Sequence, residues 1–212
     1  HGHDLTLRGE SRFAENGLFG PCLESHGPGQ EGRQPNGAIV QNHPDLTPHG
    51  AFTLELWIRP KSEFAELRGI AVLLDKKYLD RPSDRPNANN DYMLFLRRRG
   101  QAHQIVAYLG FGADSAYYES DAVSLAPGEW RYIAFTYDGH GGGRFFLDGV
   151  AAGGGTHEGR GPVAPGRRAL VIGDRVLGLY KGFPGYISQV RIMHGAPPWL
   201  QGTITTTVGD GR

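Results

Sequence analysis

The stretch from Gly128 to Gly149 constrains the fold of this chain more than any other. Ile133, Phe135 and Tyr137 alternate with residues that point the other way, and this period of two is typical of a pleated strand. A glycine-rich run follows, which supplies the positive φ angles that a chain reversal requires. A second alternating run resumes at Phe145, so the stretch predicts an antiparallel hairpin.

Similar short runs, separated by turn signals, recur along the rest of the chain, and no long helical pattern interrupts them. The runs outside the hairpin are 4–8, 18–25, 38–41, 52–59, 69–75, 92–98, 103–111, 117–125, 169–173 and 184–193. We expect a turn at 15–17 and a loop at 151–168, because both are rich in turn-forming residues. The pattern predicts an all-β fold, a single antiparallel β-sandwich or barrel. We expect one domain over 1–202, followed by a tail or linker at 203–212.

Several motifs in and around the hairpin resemble those of laminin-G-like domains. The central motif is Gly-x-Trp-x-x-x-Ala-x-Thr-Tyr-Asp-Gly at 128–139, followed by Phe-x-Asp-Gly at 146–149. The segments 52–60, 170–173 and 183–192 resemble, in the right order, an early core strand, a late strand and the last long strand of the family. One departure is that Ser188 and Gln189 stand where the family often has Asp-Glu, so no role of those acids is transferred to this chain.

The resemblance implies a concanavalin A-like jelly roll, which is an antiparallel β-sandwich close to that of legume lectins and pentraxins. It also implies a binding or adhesion module whose ligand is carbohydrate, with Ca²⁺ held on loops at a rim of the sandwich. A fold does not establish a function by itself, so this step is an analogy.

Composition narrows the range of partners. The chain has 22 Lys and Arg and 22 Asp and Glu. A net charge near zero gives no overall field toward nucleic acid or an anionic membrane, and neither is an expected partner. Cys22 is the only cysteine, which excludes an internal disulfide. Because the chain starts at His1 rather than Met, we interpret it as a module of a larger exported protein, secreted, periplasmic or on the cell surface, with other domains of that protein as partners.

Oxygen-rich side chains before the strand at 92–98 suggest a calcium site. Asn89, Asn90 and Asp91 are consecutive, and Asp174 follows a later strand. Ca²⁺ takes six to eight oxygen ligands from carboxylates, amides and backbone carbonyls. The sequence therefore suggests a structural calcium at these four residues. The alternative is that Asn and Asp merely satisfy turns, as they commonly do.

Exposed aromatic residues are candidates for a sugar platform, because a sugar ring stacks its C–H face on an aromatic ring. Tyr117 and Tyr118 have acidic neighbours able to hold hydroxyl groups, and their alternation sends them to opposite faces of a strand. The candidates are Trp57, Tyr78, Tyr117, Tyr118, Tyr180 and Trp199. Trp130 is interpreted instead as a packing residue of the core.

Two further patterns involve basic side chains. Arg98 lies in a run of three arginines at a predicted hairpin tip and is a candidate for gripping an acidic polysaccharide. His1 and His3 would chelate Cu²⁺ or Ni²⁺ if His1 were a free terminus. The remaining histidines show no close metal-ligand spacing.

Catalytic signatures are weak. The Glu-x-Asp-x-x-Glu pattern of jelly-roll glucanases is missing, and so are a nucleophile elbow and a P-loop. We therefore interpret the chain as a non-catalytic carbohydrate-binding or adhesion module. Two alternatives stay open, a polysaccharide hydrolase or lyase and a structural module that packs on a catalytic neighbour. The acids to inspect for an enzyme are Glu55, Asp91, Glu119 and Asp121.

Overall fold

The computed structural model describes residues 3–27, 34–77, 89–176 and 180–200. These residues form fourteen β-strands and three short 3-10 helices, Pro44–Leu46, Ser62–Glu66 and Pro198–Leu200. Within the described residues, no helix is long and apolar enough to cross a membrane. The strands form two antiparallel sheets of seven strands each. The predicted all-β sandwich is thereby confirmed. The predicted tail at 203–212 lies outside the described residues.

The middle strands of the first sheet are buried on both faces, and Val72, Met93, Phe95 and Val106 form an apolar cluster separate from the main core. The strands of this sheet, in spatial order, are β1 (Thr6–Leu7), β4 (Ala38–Val40), β13 (Leu170–Ile172), β6 (Ile70–Asp75), β7 (Tyr92–Arg99), β8 (Ala102–Gly110) and β9 (Ser115–Glu119).

The second sheet contains the central hairpin. Its strands, in spatial order, are β12 (Val150–Thr156), β11 (Gly142–Leu147), β10 (Arg131–Tyr137), β5 (Phe52–Pro60), β14 (Gly185–His194), β3 (Gly20–Ser25) and β2 (Arg12–Gly17). The predicted hairpin is therefore the pair β10–β11. The other edge of β10 pairs with β5 over the whole length of β10.

The inner faces of the two sheets meet in one hydrophobic core. Phe135 of β10 is fully buried, and its ring lies 4.8 Å from that of Phe145 and 6.3 Å from that of Phe52. Tyr118 of the first sheet reaches across, with its ring centroid 5.7 Å from that of Phe135. Aromatic pairs at these separations add about 0.5–1.5 kcal/mol each beyond the burial of their area.

Three local predictions are wrong. Residues 15–17 were expected to turn, but they end β2, whose irregular pairing with β3 moves the turn to Leu18 and Phe19. The glycine-rich start of the expected loop at 151–168 belongs to β12, because β11 supplies it with backbone partners. Trp130 is half-buried rather than a core residue, and it lies against the Arg59 guanidinium at 5.1 Å.

One edge of the sandwich opens because the pairing of β14 is interrupted. Residues Ser188 and Arg191 of β14 face Trp57 and Glu55 of β5, so three steps along β14 match two along β5. Gln189 in this bulge has a φ of 51°. The pairing of β14 with β3 stops at Ile187. Beyond this point β14 still pairs with β5, but its pairing with β3 has ended, and residues 188–194 line a cavity.

A buried histidine makes stability depend on pH. His103 is 8% exposed, stacks on Phe64 at 4.6 Å, and has no hydrogen-bond partner for either ring nitrogen among the described residues. Burial, followed by the nearby Arg98 charge, lowers the pKa of His103 below its usual 6.5. Below about pH 6.5 the unfolded chain therefore takes up a proton that the folded chain does not. The free energy of unfolding consequently decreases as the pH is lowered.

We expect His103→Phe to flatten this dependence. Urea denaturation between pH 7.5 and 5 should show the wild-type midpoint falling and the variant midpoint falling less. Glu24 does not interfere in this range. Burial alone would raise its pKa, but hydrogen bonds from Lys61 and Arg12 outweigh that effect and lower it to about 2. Equal slopes for the two proteins would contradict the role given to His103.

Candidate functional site

The structure separates the aromatic residues predicted to form a sugar platform. Trp57 lies on the outer face of the second sheet, because its neighbours Leu56 and Ile58 fill the core. Tyr117 lies on the outer face of the first sheet and is 50% exposed. Tyr118 is 1% exposed and donates its hydroxyl to the Gly141 carbonyl at 3.0 Å, so it is a core residue and not a platform. Tyr78 lies outside the described residues.

Arg98 is also separate from these aromatic residues. Its guanidinium donates to the carbonyl oxygens of Ala65 at 2.5 Å and Gly100 at 3.0 Å. Ala65 belongs to the 3-10 helix Ser62–Glu66. Arg98 therefore ties that helix to the end of β7, and its contacts fit a structural role at one end of the sandwich.

Tyr117 lies at the centre of a surface in which neighbouring side chains hold its ring in place. Its ring lies parallel to that of Tyr108, with centroids 4.0 Å apart and an interplanar angle of 6°. The two residues are direct cross-strand neighbours in β8 and β9. A ring supported in this way loses little conformational freedom when a ligand stacks on it. We call this surface, with the polar side chains described next, the tyrosine site.

Charged and amide groups of β7, β8 and β9 lie on the same side of the sheet as the two tyrosines. Glu119 pairs with Arg97 at 2.6 Å and lies 3.9 Å from Arg99. The Gln104 side-chain oxygen accepts hydrogen bonds from Arg97 at 3.0 Å and Arg99 at 2.9 Å. These groups offer donors and acceptors beside the Tyr117 ring, and an ordered network keeps them in position.

A lysine borders the other side of the tyrosine site. The Lys77 ammonium lies 4.4 Å from the Tyr108 ring centroid and donates to the Ser115 hydroxyl at 2.7 Å. Ser115 in turn donates to the side-chain oxygen of Asn89 at 2.8 Å. Burial lowers the pKa of Lys77 to about 8, against the opposing charges of Asp75 and Asp91. The site therefore brings Tyr117 together with Asn89, a residue predicted to bind calcium.

The outer face of the second sheet carries a different aromatic surface. Trp57 contacts Phe19 edge-on at 5.6 Å and Tyr132 at 5.4 Å, and we call these three residues the aromatic strip. Phe19 is 58% exposed. Beside the strip, Arg59 lies over the Tyr186 ring at 4.3 Å. This surface is apolar at its exposed end, unlike the tyrosine site.

The acids predicted to bind calcium are occupied by groups of the chain itself. Asp91 is 1% exposed, and its carboxylate accepts from the Lys76 ammonium at 2.9 Å and the Thr47 hydroxyl at 3.3 Å. Burial raises the pKa of Asp91, although the Lys76 charge opposes the shift. A Ca²⁺ ion at Asp91 would have to displace this ammonium.

Asp174 is occupied in a similar way. Its two oxygens accept the backbone amides of Asn36 at 2.8 Å and Lys181 at 2.7 Å. Asn90 donates to the Pro165 carbonyl at 2.8 Å. These contacts fix loops at the end of the sandwich without an ion. Calcium binding by this chain stays a prediction.

Three of the acids inspected for an enzyme, Glu55, Glu119 and Asp91, do not gather in one place. Glu55 is 2% exposed on the outer face of the second sheet, where it accepts from Arg191 at 3.0 Å and from the Tyr132 hydroxyl. Glu119 lies on the outer face of the opposite sheet. A glycosidase places its two carboxyl groups about 5–9.5 Å apart around one bond. Glu55 and Glu119 lie on opposite sides of the sandwich, and Asp91 is held by Lys76.

A cavity of about 730 Å³ lies at the open edge of the sandwich. Aliphatic side chains of both sheets line it, among them Val40, Leu170 and Ile192. His3, Asp45 and His194 are among its polar lining residues. Phe13 also lines the cavity, but its walls are mainly aliphatic, and they suit a sugar ring less well than the paired tyrosine rings do.

Sequence reasoning missed two groups of residues. Tyr108 and Arg97 lie on strands other than that of Tyr117, and only the register of β7, β8 and β9 brings them to it. His43 and Asp45 converge with His3, which the sequence suggested as a chelator only together with His1. The usable signal for the other two residues was the His-x-Asp spacing at 43–45.

The comparisons with known proteins agree with this architecture. The family model Laminin_G_3, described as the concanavalin A-like lectin/glucanases superfamily, matches residues 33–199. This chain therefore belongs to the concanavalin A-like lectin/glucanase superfamily. The resemblance to laminin-G-like domains and the jelly-roll fold are confirmed. A comparison with curated proteins finds no match.

Solved structures share the fold at low sequence identity. Domain 4 of AbnA, an extracellular GH43 arabinanase from Geobacillus stearothermophilus solved with arabinotriose, aligns with a TM-score of 0.63 and 18% identity, covering 93% of this chain and 84% of that one. The binding domain of botulinum neurotoxin serotype C1 aligns with a TM-score of 0.65 and 12% identity, over 93% of this chain and 45% of that one. A structure of botulinum neurotoxin type C, whose cell entry depends on two ganglioside molecules, aligns with a TM-score of 0.63 and 9% identity, over 93% of this chain and 44% of that one.

The buried Lys76–Asp91 pair gives a stability prediction. Lys76→Met leaves an uncompensated buried carboxylate, and Asp91→Asn leaves an uncompensated buried ammonium. Each change should cost about 3–5 kcal/mol, whereas the double variant should cost clearly less than their sum. Asn suits position 91 because the backbone there has a φ of 55°. Urea denaturation of the four proteins measures the coupling, and additive losses would contradict it.

Proposed function

We propose that this chain is a non-catalytic carbohydrate-binding module and that the tyrosine site holds the sugar. The observation that carries the proposal is the half-exposed Tyr117 ring, fixed on Tyr108 at 4.0 Å and bordered by the Glu119–Arg97 pair. Such a ring offers a flat apolar face to the C–H groups of a sugar. Beside it, the carboxylate can accept hydrogen bonds from sugar hydroxyls, and the guanidinium can donate hydrogen bonds to them.

The neighbouring structures support the same class of ligand. The arabinanase domain was solved with arabinotriose, and botulinum neurotoxin type C depends on gangliosides for cell entry. Both are carbohydrate ligands held by proteins of this fold. The GH43 arabinanase is extracellular, and we propose that this chain likewise works as part of an exported protein beside other domains.

A second candidate function is packing against a neighbouring domain. The turn between β2 and β3 exposes Leu18 by 43% and Phe19 by 58%. Phe19 is continuous with the aromatic strip. Exposed apolar residues gathered in this way are typical of interaction surfaces. Because this surface and the tyrosine site lie on opposite sheets, the two functions are compatible.

The first prediction of the proposal concerns Tyr117. Tyr117→Ala should weaken glycan binding at least about tenfold, equivalent to about 1.4 kcal/mol, because the stacking face is lost. Tyr117→Phe should keep most of the affinity, since the ring remains. The measurement is a glycan array that includes arabinotriose and ganglioside glycans, followed by calorimetry on the glycan that binds.

Trp57→Ala is the matched control on the opposite sheet and should leave the affinity unchanged. If Trp57→Ala abolished binding and Tyr117→Ala did not, the site would belong to the aromatic strip. If the wild-type chain bound no glycan, or released reducing sugar from a polysaccharide, the proposed non-catalytic function would be wrong.

The second candidate function predicts a footprint. In the isolated chain, hydroxyl radicals should modify Leu18 and Phe19 readily, because both side chains face solvent. In a longer chain that contains this module and a neighbouring domain, both residues should be protected while Tyr117 stays reactive. Equal modification of Leu18 and Phe19 in the two samples would exclude domain packing at this surface.

A further inference from the structure

Three side chains from two segments converge beside the edge cavity. His3 lies just before β1, while His43 and Asp45 lie at the start of the 3-10 helix Pro44–Leu46. One potential metal-ligand atom from each of the three residues lies within 4.8 Å of the other two. We call these residues the histidine cluster.

The distances within the cluster suit a transition-metal ion. The His43 Nδ1 atom lies 3.5 Å from the Asp45 Oδ2 atom. Ligand bonds of about 2.0–2.1 Å in a tetrahedral site place neighbouring ligand atoms at about this separation. The His3 ring lies 4.8 Å from the His43 ring, so its nitrogen needs only a small side-chain rotation to complete a third bond.

The local backbone places two of the ligands beside each other before any ion binds. His43 is the N-cap of the short 3-10 helix, and its Nδ1 atom accepts the Asp45 amide at 3.2 Å. This hydrogen bond uses the single Nδ1 lone pair, so an ion bound at Nδ1 would replace the amide, whereas an ion bound at Nε2 would leave it in place. The Asp45 carboxylate beside the ring supplies the negative charge that attracts a divalent cation.

We propose that the histidine cluster binds a divalent first-row transition metal of the Zn²⁺ class. Two imidazoles and one carboxylate prefer Zn²⁺, Cu²⁺ or Ni²⁺ to the hard ions Ca²⁺ and Mg²⁺, which take oxygen ligands. His3 is half-buried and the other two residues are exposed, so the remaining coordination positions are open to water or a ligand. This site is independent of the tyrosine site and of the proposed carbohydrate function.

The bound ion would cross-link two segments at the open edge of the sandwich. β1 is held to β4 by only two residue pairs. His3 and Asp45 both line the cavity of about 730 Å³. A bond from each of them to one ion joins the approach to β1 with the segment after β4 and fixes both beside the cavity. Ion binding should therefore raise the melting temperature as the free metal concentration exceeds its Kd.

The test uses untagged protein freed of metal by chelation and titrated with ZnCl₂ in a calorimeter. We expect saturable binding of one ion per chain. His43→Asn and Asp45→Asn should each weaken the affinity at least about tenfold. The exposed His49, in the same loop region, gives the matched control, and His49→Gln should leave the affinity unchanged.

Titration with Co²⁺ gives a second readout, because visible absorption bands distinguish tetrahedral from octahedral coordination. The proposal expects the intense bands of a tetrahedral site in the wild type and their loss in His43→Asn. If His43→Asn bound zinc as tightly as the wild type while His3→Gln did not, the first residues of the chain alone would be the chelator and the proposal would be wrong. Lack of saturable zinc binding would also overturn it.

Discussion

The pairing of β5 with β10 is the constraint on which the rest of this structure depends. Seven consecutive residue pairs join the two strands, from Arg131 with Ile58 to Tyr137 with Phe52. This register places Phe52 and Phe135 on one side, where they meet the aromatic rings of the opposite sheet. A shift by one residue would turn both rings outward and leave polar side chains in the core. The register is therefore specified by the burial of these rings.

Once the inner faces are fixed, the outer faces differ in character. On the first sheet, Tyr117 and Tyr108 form a half-exposed stack beside charged side chains. On the second sheet, Glu55 is almost fully buried although it points away from the core, because Tyr132 and Arg191 hold it. A buried and fully partnered carboxylate has lost the solvent access that a ligand contact needs. The first sheet thus offers an accessible polar and aromatic surface where the second sheet offers mainly apolar exposure.

Much of the fold could be predicted because its signals are local. Alternation within 131–137 and the turn signals beside it identify a strand and a reversal without any knowledge of the partner strand. The same locality explains the errors. Alternation places Tyr117 and Tyr118 on opposite faces, but it cannot decide which residue faces the core. The glycines of β12 read as a loop, because their strand conformation depends on the hydrogen bonds of β11.

The candidate site could be predicted only in part, for the same physical reason. Tyr117 and Glu119 share one strand face, so the sequence places them together. Arg97 joins them through the register of two further strands. The calcium prediction counted the oxygen atoms near Asp91 without the ammonium of Lys76, which directly follows the neighbouring strand β6 and lies 2.9 Å away. A count of oxygen atoms along the chain omits the cations that the fold brings to them.

The cavity at the open edge lies beside a small irregularity in β14, and no local sequence pattern predicts it. One additional residue in β14, at a left-handed Gln189, interrupts the pairing of β14 with β5, and the residues beyond this bulge line a cavity. An edge with few backbone partners must be closed by side chains, as the contact between His3 and His43 illustrates. These two residues are forty positions apart and belong to different segments. Their proximity follows from the pairing of β1 with β4, which only the assembled sheet determines.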